Sequence, residues 1–436
     1  MVDPAGANNA ADRRAALSRE WDELVEEVRG KDGFADFLRA PEPEQLRPAK
    51  GTGPIVVINV SRWECDALVV EHEGVTPVPL PALGLESATE RANHYLTVLQ
   101  RAEAAEAAHA EAATGTGRGA AARVLAAAQA VEEAYDEVDA MLTDLQAWMW
   151  DTIADPVLTT LGLTMTPERS TAQWLRLWWC PTGPLTLLPL HSAGHHADAA
   201  EGRADPRTVL DRVVSSYTPT VRALLDARRP RVEPEDPEIT DGRLLLVDAS
   251  KVSGQAELDG TAEREALVAA FGPDHCTLLE GPAATASAVA RELERHRWVH
   301  FVCHGDQDLA DPSQGALLLH GSRLTVEALS QSRSGGEFAG LSACKTAVGG
   351  VDLLDEAITL AAALHYTGYR HVVATTWSAD SATTSTVFAE LYAAIAGDRR
   401  VRSAEAAAAL HVIVRARRAA TPQWPHLWTP FTHTGP

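Results

Sequence analysis

The stretch RWVHFVCHG, residues 297–305, packs four strand-forming residues, Trp298, Val299, Phe301 and Val302, into a run that Gly305 ends. It also crowds His300, Cys303 and His304 together, so it reads three ways: a metal site, a reactive histidine at a strand end, or core. Strand geometry separates these readings. Successive side chains alternate, which sets His300, Val302 and His304 on one face and Cys303 on the other. The three ligand-type residues cannot meet at one ion without breaking the strand, so a tetrahedral zinc shell is disfavoured, and no metal or other cofactor is expected. Cys303 then reads as a core thiol and His300 as a core or rim residue. His304 is left alone at the strand end.

The neighbourhood has a regular rhythm. RLLLVDAS (243–250) reads as a strand, TAEREALVAAFG as a helix, CTLLEG as a strand and ATASAVARELERH as a helix. After 297–305 come a hairpin (GALLLHGSRLT), a short helix (TVEALSQ), a strand (EFAGLSAC), a helix (DEAITLAAALHYTG), a strand (HVVATTW) and a helix over about 381–396. Strands alternating with helices predict a parallel-rich sheet covered on both faces, with functional groups gathered at the carboxyl ends of its strands. Upstream, IVVINV and DALVV predict a hairpin, two Ala-rich helices span about 86–113 and 119–151, and WLRLWWCP is a buried strand. An amphipathic helix covers 11–29, and PEPEQLRPAKGTGP and RVEPEDPEITDG read as linkers. The expected organisation is an N-terminal helix and linker (1–49), a first half (50–230) and a second half (240–436).

Two strands of the second half end on reactive residues, FVCHG on His304 and LSAC on Cys344. If those strands are neighbours, imidazole and thiol face each other across the sheet rim. An imidazole beside a thiol takes its proton or stabilises the thiolate, which is what nucleophilic catalysis needs. The Gly305 and Cys344 N–H groups would form an oxyanion hole, each donor contributing roughly 3 kcal/mol. Other clusters read as bland. HSAGHH, with His191, His195 and His196, reads as a polar loop near a binding cleft rather than a metal site; GTGRG lies between helices without a P-loop lysine and reads as a linker. LLDEA (353–357) reads as a helix start.

The 436 residues carry a formal net charge of -22, which argues against nucleic acid or an anionic membrane as partner. No apolar leader or run of 18 apolar residues occurs, and five scattered cysteines fit a reducing compartment, so a soluble cytoplasmic protein is expected.

HFVCHG, ALLLHGSRLTVEAL, AGLSACKTAVG, DEAITLAAALHYTGYRHVVATTW and HLWTPFTHTG together resemble a CHAT domain, a caspase-like module of the cysteine peptidase clan that includes caspases, separase and gingipains. GPIVVINVSRWECDALVV, GPLTLLPLHSAG and YTPTVRALL extend the resemblance upstream, over roughly residues 15–436. It implies a caspase-like α/β fold, a parallel-rich sheet flanked by helices, preceded by a degenerate caspase-like half with long helices. It also matches His304 to the family's catalytic histidine and Cys344 to its nucleophile. The implied function is a cysteine endopeptidase acting on a specific protein substrate in a bacterial immunity or cell-death pathway, with a sensor or activator on a separate chain. The alternative is a catalytically silent caspase-like scaffold. In this clan the end of the first strand of the active half can line the S1 pocket, which nominates Asp248 for a basic P1 residue. Arg333, in QSRSGGE (331–337), would suit the same preference as a self-processing site.

Overall fold

The computed structural model describes residues 4–31, 34, 37–39, 41–117, 119–168, 174–230, 243–253, 255, 257–306, 311–331, 335–343, 359–377 and 380–436. Residues 1–47 and 48–436 form two separate units. The first is built on helix α1 (Pro4–Arg29), longer at its start than the amphipathic pattern predicts.

The second unit begins with three short strands, β1 (Ile55–Asn59), β2 (Asp66–Val70) and β3 (Val75–Pro79). Two 30-residue helices follow, α2 (Leu85–Thr114) and α3 (Ala120–Met149), and then the short helices α4 (Asp155–Thr160) and α5 (Ala197–Ala200) around β4 (Arg176–Pro181). β5 (Val214–Tyr217) and α6 (Val221–Arg228) close this part. Then come β6 (Leu244–Asp248), α7 (Thr261–Phe271), β7 (Cys276–Glu280), α8 (Ala286–Leu293), β8 (Trp298–Val302) and β9 (His304–Asp306). β10 (Ala316–Leu319), β11 (Ser322–Thr325), α9 (Val326–Ser330), β12 (Phe338–Ser342), α10 (Leu360–Thr367) and β13 (His371–Thr375) continue the alternation. The chain finishes with α11 (Ser381–Ile395), the two-residue pair β14 (Ala396–Gly397) and β15 (Arg400–Val401), α12 (Ala406–Ala420) and β16 (Phe431–Thr434).

Eleven strands form one sheet in the order β3-β2-β1-β4-β5-β16-β13-β12-β8-β6-β7. Most neighbours are parallel, as the strand–helix rhythm predicts; β1-β2, β2-β3 and β13-β16 are antiparallel. Because β16 runs parallel to β5 and antiparallel to β13, the strands on its two sides run in opposite directions. The carboxyl ends of β8 and β12 therefore lie on the opposite rim from those of β4 and β5.

Each face is packed by what alternation selects. Val56, Ile58, Val69 and Trp179 pack with Tyr95, Leu142 and Met149 of the long helices, while Ile55, Trp178 and Cys180 face Leu224 of α6. On the other side of β16, Val299, Phe301 and Cys303 pack with Leu341, Val289 and Leu364. Trp298, Leu246 and Phe338 face Leu267, Phe388 and Tyr392 of α7 and α11. Burying each such side chain contributes about 1.5–3 kcal/mol.

The two sides are also joined by polar bonds. Arg418 of α12 makes a two-pronged pair with Asp211 (2.7 and 3.0 Å), which Arg415 and Thr208 also bind. Burial pushes the Asp211 carboxyl up, but these bonds more than offset it and hold it well below the usual carboxylate range. Trp178 Nε1 donates to Gly435 O (2.7 Å), Gly435 N to Tyr217 O (3.1 Å), and Ser216 Oγ lies 2.9 Å from His433 Nδ1.

Candidate functional site

β8 and β12 are adjacent and parallel, in the register Trp298↔Phe338 through Val302↔Ser342. Val302 stands two residues before His304, and Ser342 two before Cys344. The rim is tied across its neighbours: Cys303 N–H donates to Ser342 O (3.3 Å), Ala249 N–H to Val302 O (2.8 Å) and Thr375 Oγ to Ala343 O (2.7 Å). Cys344 itself lies outside the described residues, as do Arg333, the LLDEA segment and the stretch that follows the cysteine.

The strand carrying His304 does not stop there. The main-sheet strand ends at Val302, Cys303 intervenes, and His304–Asp306 form β9 of a separate three-stranded antiparallel sheet. In it His304 pairs with Leu318 and Gly305 with Leu317, and both are half-buried. Cys303 leads from one sheet to the other, so the backbone of His304 is paired in a second sheet rather than left at a fraying strand end.

Alternation places the other two residues of the opening stretch as expected. Cys303 is fully buried in the cluster with Phe301 and Leu341. His300 is fully buried on the opposite face, its Nδ1 hydrogen-bonded to Tyr392 Oη (2.8 Å) and its Nε2 3.0 Å from Glu263 Oε2. Among the described residues no group of three His, Cys, Asp or Glu is arranged to hold a metal ion. The histidines of HSAGHH have separate partners: His191 bonds Tyr217 and Thr429 O, His195 bonds Asp151, and His196 donates to Ser192 O. Burial pushes His191 and His196 down to about 4, so both are neutral.

Asp248, at the end of β6, pairs in register with Val302 of β8 through its own strand and so shares the rim. Its Oδ1 accepts from Ser250 N–H (3.1 Å) and Ser250 Oγ (2.6 Å), and its Oδ2 lies 3.1 Å from Arg264, which also reaches Glu280. The carboxylate is thus already occupied by a turn and a guanidinium. A second carboxylate escaped the sequence reading. Asp259, just before α7, lines a cleft with Val302, Ser342, Ala343, Ser381 and Thr384. It is exposed, and its Oδ1 accepts from Thr261 N–H at 3.1 Å. The motif LDGT looks only like a helix start; what singles out Asp259 is its place in the cleft beside Val302, Ser342 and Ala343.

No curated protein matches the chain. Among solved structures, separase of Saccharomyces cerevisiae in its complex with securin is similar at 9% identity and a TM-score of 0.54, covering 88% of this chain. A second structure of that complex gives the same values. The chain spans about 30% of the separase chain's length. RgpB of Porphyromonas gingivalis, with its pro- and mature domains, aligns over 65% of this chain and 69% of that one, at 12% identity and a TM-score of 0.43. The separase likeness shows a shared caspase-like fold. Among the described residues no helix is long and apolar enough to cross a membrane. The CHAT domain profile matches residues 143–436, and the chain belongs to the CHAT domain family.

Proposed function

We propose that the protein is a cysteine endopeptidase in which Cys344 attacks the scissile carbonyl and His304 takes its proton and returns it to the leaving amine. The observation that carries this reading is the parallel register of β8 and β12, whose last paired residues, Val302 and Ser342, each stand two positions before the proposed dyad. The Gly305 and Cys344 N–H groups serve as oxyanion donors. No third residue is assigned to orient His304.

The substrate is a specific protein cleaved after a basic residue. A carboxylate beside the cleft stabilises a buried cation, and two stand on this rim. Asp259 borders the cleft and is exposed, whereas a cation reaching Asp248 must displace Arg264. We therefore place the P1 contact first on Asp259 and second on Asp248. Residues 50–230 act as a degenerate caspase-like half buttressing the active half, 240–436. Separase was solved with securin bound; by analogy a sensor or activator on another chain controls this peptidase, inside a bacterial cell, in an immunity or cell-death pathway.

The test is a thiol-directed peptide probe ending in arginine, applied to the full chain alone and co-expressed with a candidate activator. Labelling is expected in wild type, absent in Cys344→Ala and at least tenfold slower in His304→Ala. Asp259→Asn should slow labelling by an arginine probe more than by a leucine probe, and more than Asp248→Ala does. No labelling of wild type under any condition would favour a catalytically silent scaffold.

A further inference from the structure

Three polar side chains that the proposed chemistry does not use meet in the core beneath the cleft. Glu263 from the first turn of α7, His300 from the middle of β8 and Tyr392 from α11 are each fully buried. The Tyr392 hydroxyl bonds His300 Nδ1, and His300 Nε2 lies 3.0 Å from Glu263 Oε2, at too poor an angle for a hydrogen bond. Burial, and then the Glu263 charge, raise the Tyr392 hydroxyl well above its ordinary range, so it stays protonated.

The surroundings are shaped to this cluster. Gly340 is the β12 partner of His300, and a Cβ there would run into Tyr392 Oη and lie 2.6 Å from His300 Nδ1. A Cβ on Gly260 would lie 2.5 Å from Val302 Cγ1 and 3.2 Å from Glu263 Oε1. Glu263 N–H donates to Ser385 Oγ on α11 (3.3 Å). Apolar residues of the same volume would pack here without the desolvation cost of a buried carboxylate. In some systems buried polar groups of this kind fix relative position where apolar ones do not.

What it fixes is the cleft. α7 begins two residues after Asp259, α11 carries Thr384 and Ser381, and β8 ends at Val302; all of these line it. We propose that Glu263, His300 and Tyr392 are positioning residues that fasten α7 and α11 to β8 and thereby set the walls of the specificity cleft. None of the three is exposed, so each acts through Asp259, Thr384 or Val302 and not by touching substrate. The kinetic part of this inference rests on the peptidase reading; the positional part does not.

Two shape-preserving variants of the full chain test it, Tyr392→Phe and Glu263→Gln. Amide hydrogen exchange at residues 260–264 and at Val302 is expected to speed up about tenfold in each, with exchange in α2 and α3 unchanged. Against a peptide with arginine at P1, KM is expected to rise about tenfold while kcat changes less than twofold. Unchanged exchange at those amides in folded Tyr392→Phe would overturn the proposal, as would a fall in kcat with KM constant. If wild type cleaves no peptide either alone or with the activator, the peptidase reading fails and the exchange result alone decides. If Glu263→Gln does not fold, Tyr392→Phe decides.

Discussion

Gly340 lacks a side chain because the space beside it is filled from two other elements, by His300 of the neighbouring strand and Tyr392 of a helix. Adding one methyl group forces one of them off its position. Gly340→Ala is expected to cost about 1–3 kcal/mol by urea unfolding, as overpacking does. Relief is expected when Tyr392→Phe is added, because the clashing oxygen is then gone. At this scale the sequence was informative wherever alternation applied. The period of two separated Cys303 from His300, and both lie on the faces that it requires. It said nothing about Glu263 or Asp259, because an acid in or just before the first turn of a helix looks like a complement to the dipole whether it is exposed or buried. Only the fold distinguishes the two, with Glu263 buried and Asp259 exposed.

At the scale of elements, the runs that alternate or are continuously apolar are strands and helices where expected: β1, β2, β4, β6, β7, β8, β12 and β13, and the long helices α2 and α3. Among the elements not legible are β3 and the four-residue β5 and β16, reading VSSY and FTHT. Five of the eight residues of β5 and β16 are serine, threonine or histidine; Ser216 Oγ lies 2.9 Å from His433 Nδ1, and Ser215 Oγ accepts from Trp179 Nε1. Such segments become strands because both edges are already offered to them. β9 was missed for a related reason: it continues β8 in sequence but belongs to another sheet. β16 is bonded to β13 over Val372↔Thr434 through Thr375↔Phe431 and is the strand that joins β13 to β5. Removing residues 431–436 leaves the facing edges of β13 and β5 unpaired and takes the buried Phe431 out of its apolar cluster. The shortened chain is expected to lose its single cooperative unfolding transition and to aggregate, as followed by urea titration and light scattering.

Over the whole molecule, buried neutral histidines set the response to acid. Burial pushes His191 and His196 down to about 4 and His371 and His411 to about 3, and lowers His296 and His433 as well. Each stays unprotonated in the fold, while in the unfolded chain it takes up a proton below about pH 6.5. The unfolded state then binds more protons than the native one, so stability rises with pH and is lost as pH falls from about 6.5 toward those lower values. Six such groups imply a loss on the order of 5 kcal/mol between pH 6.5 and 5.5. The urea midpoint should drop steeply over that interval, and His371→Gln should flatten the slope by about one proton. The position of β16 has a further consequence, for timing. Tyr217 and Thr434, paired across the middle of the sheet, are numbered half the chain apart. On the ribosome, everything flanking that gap is synthesised before the strand that fills it. The strands on both sides of β16 are therefore translated before the strand that joins β13 to β5, and the sheet closes only once β16 has been made.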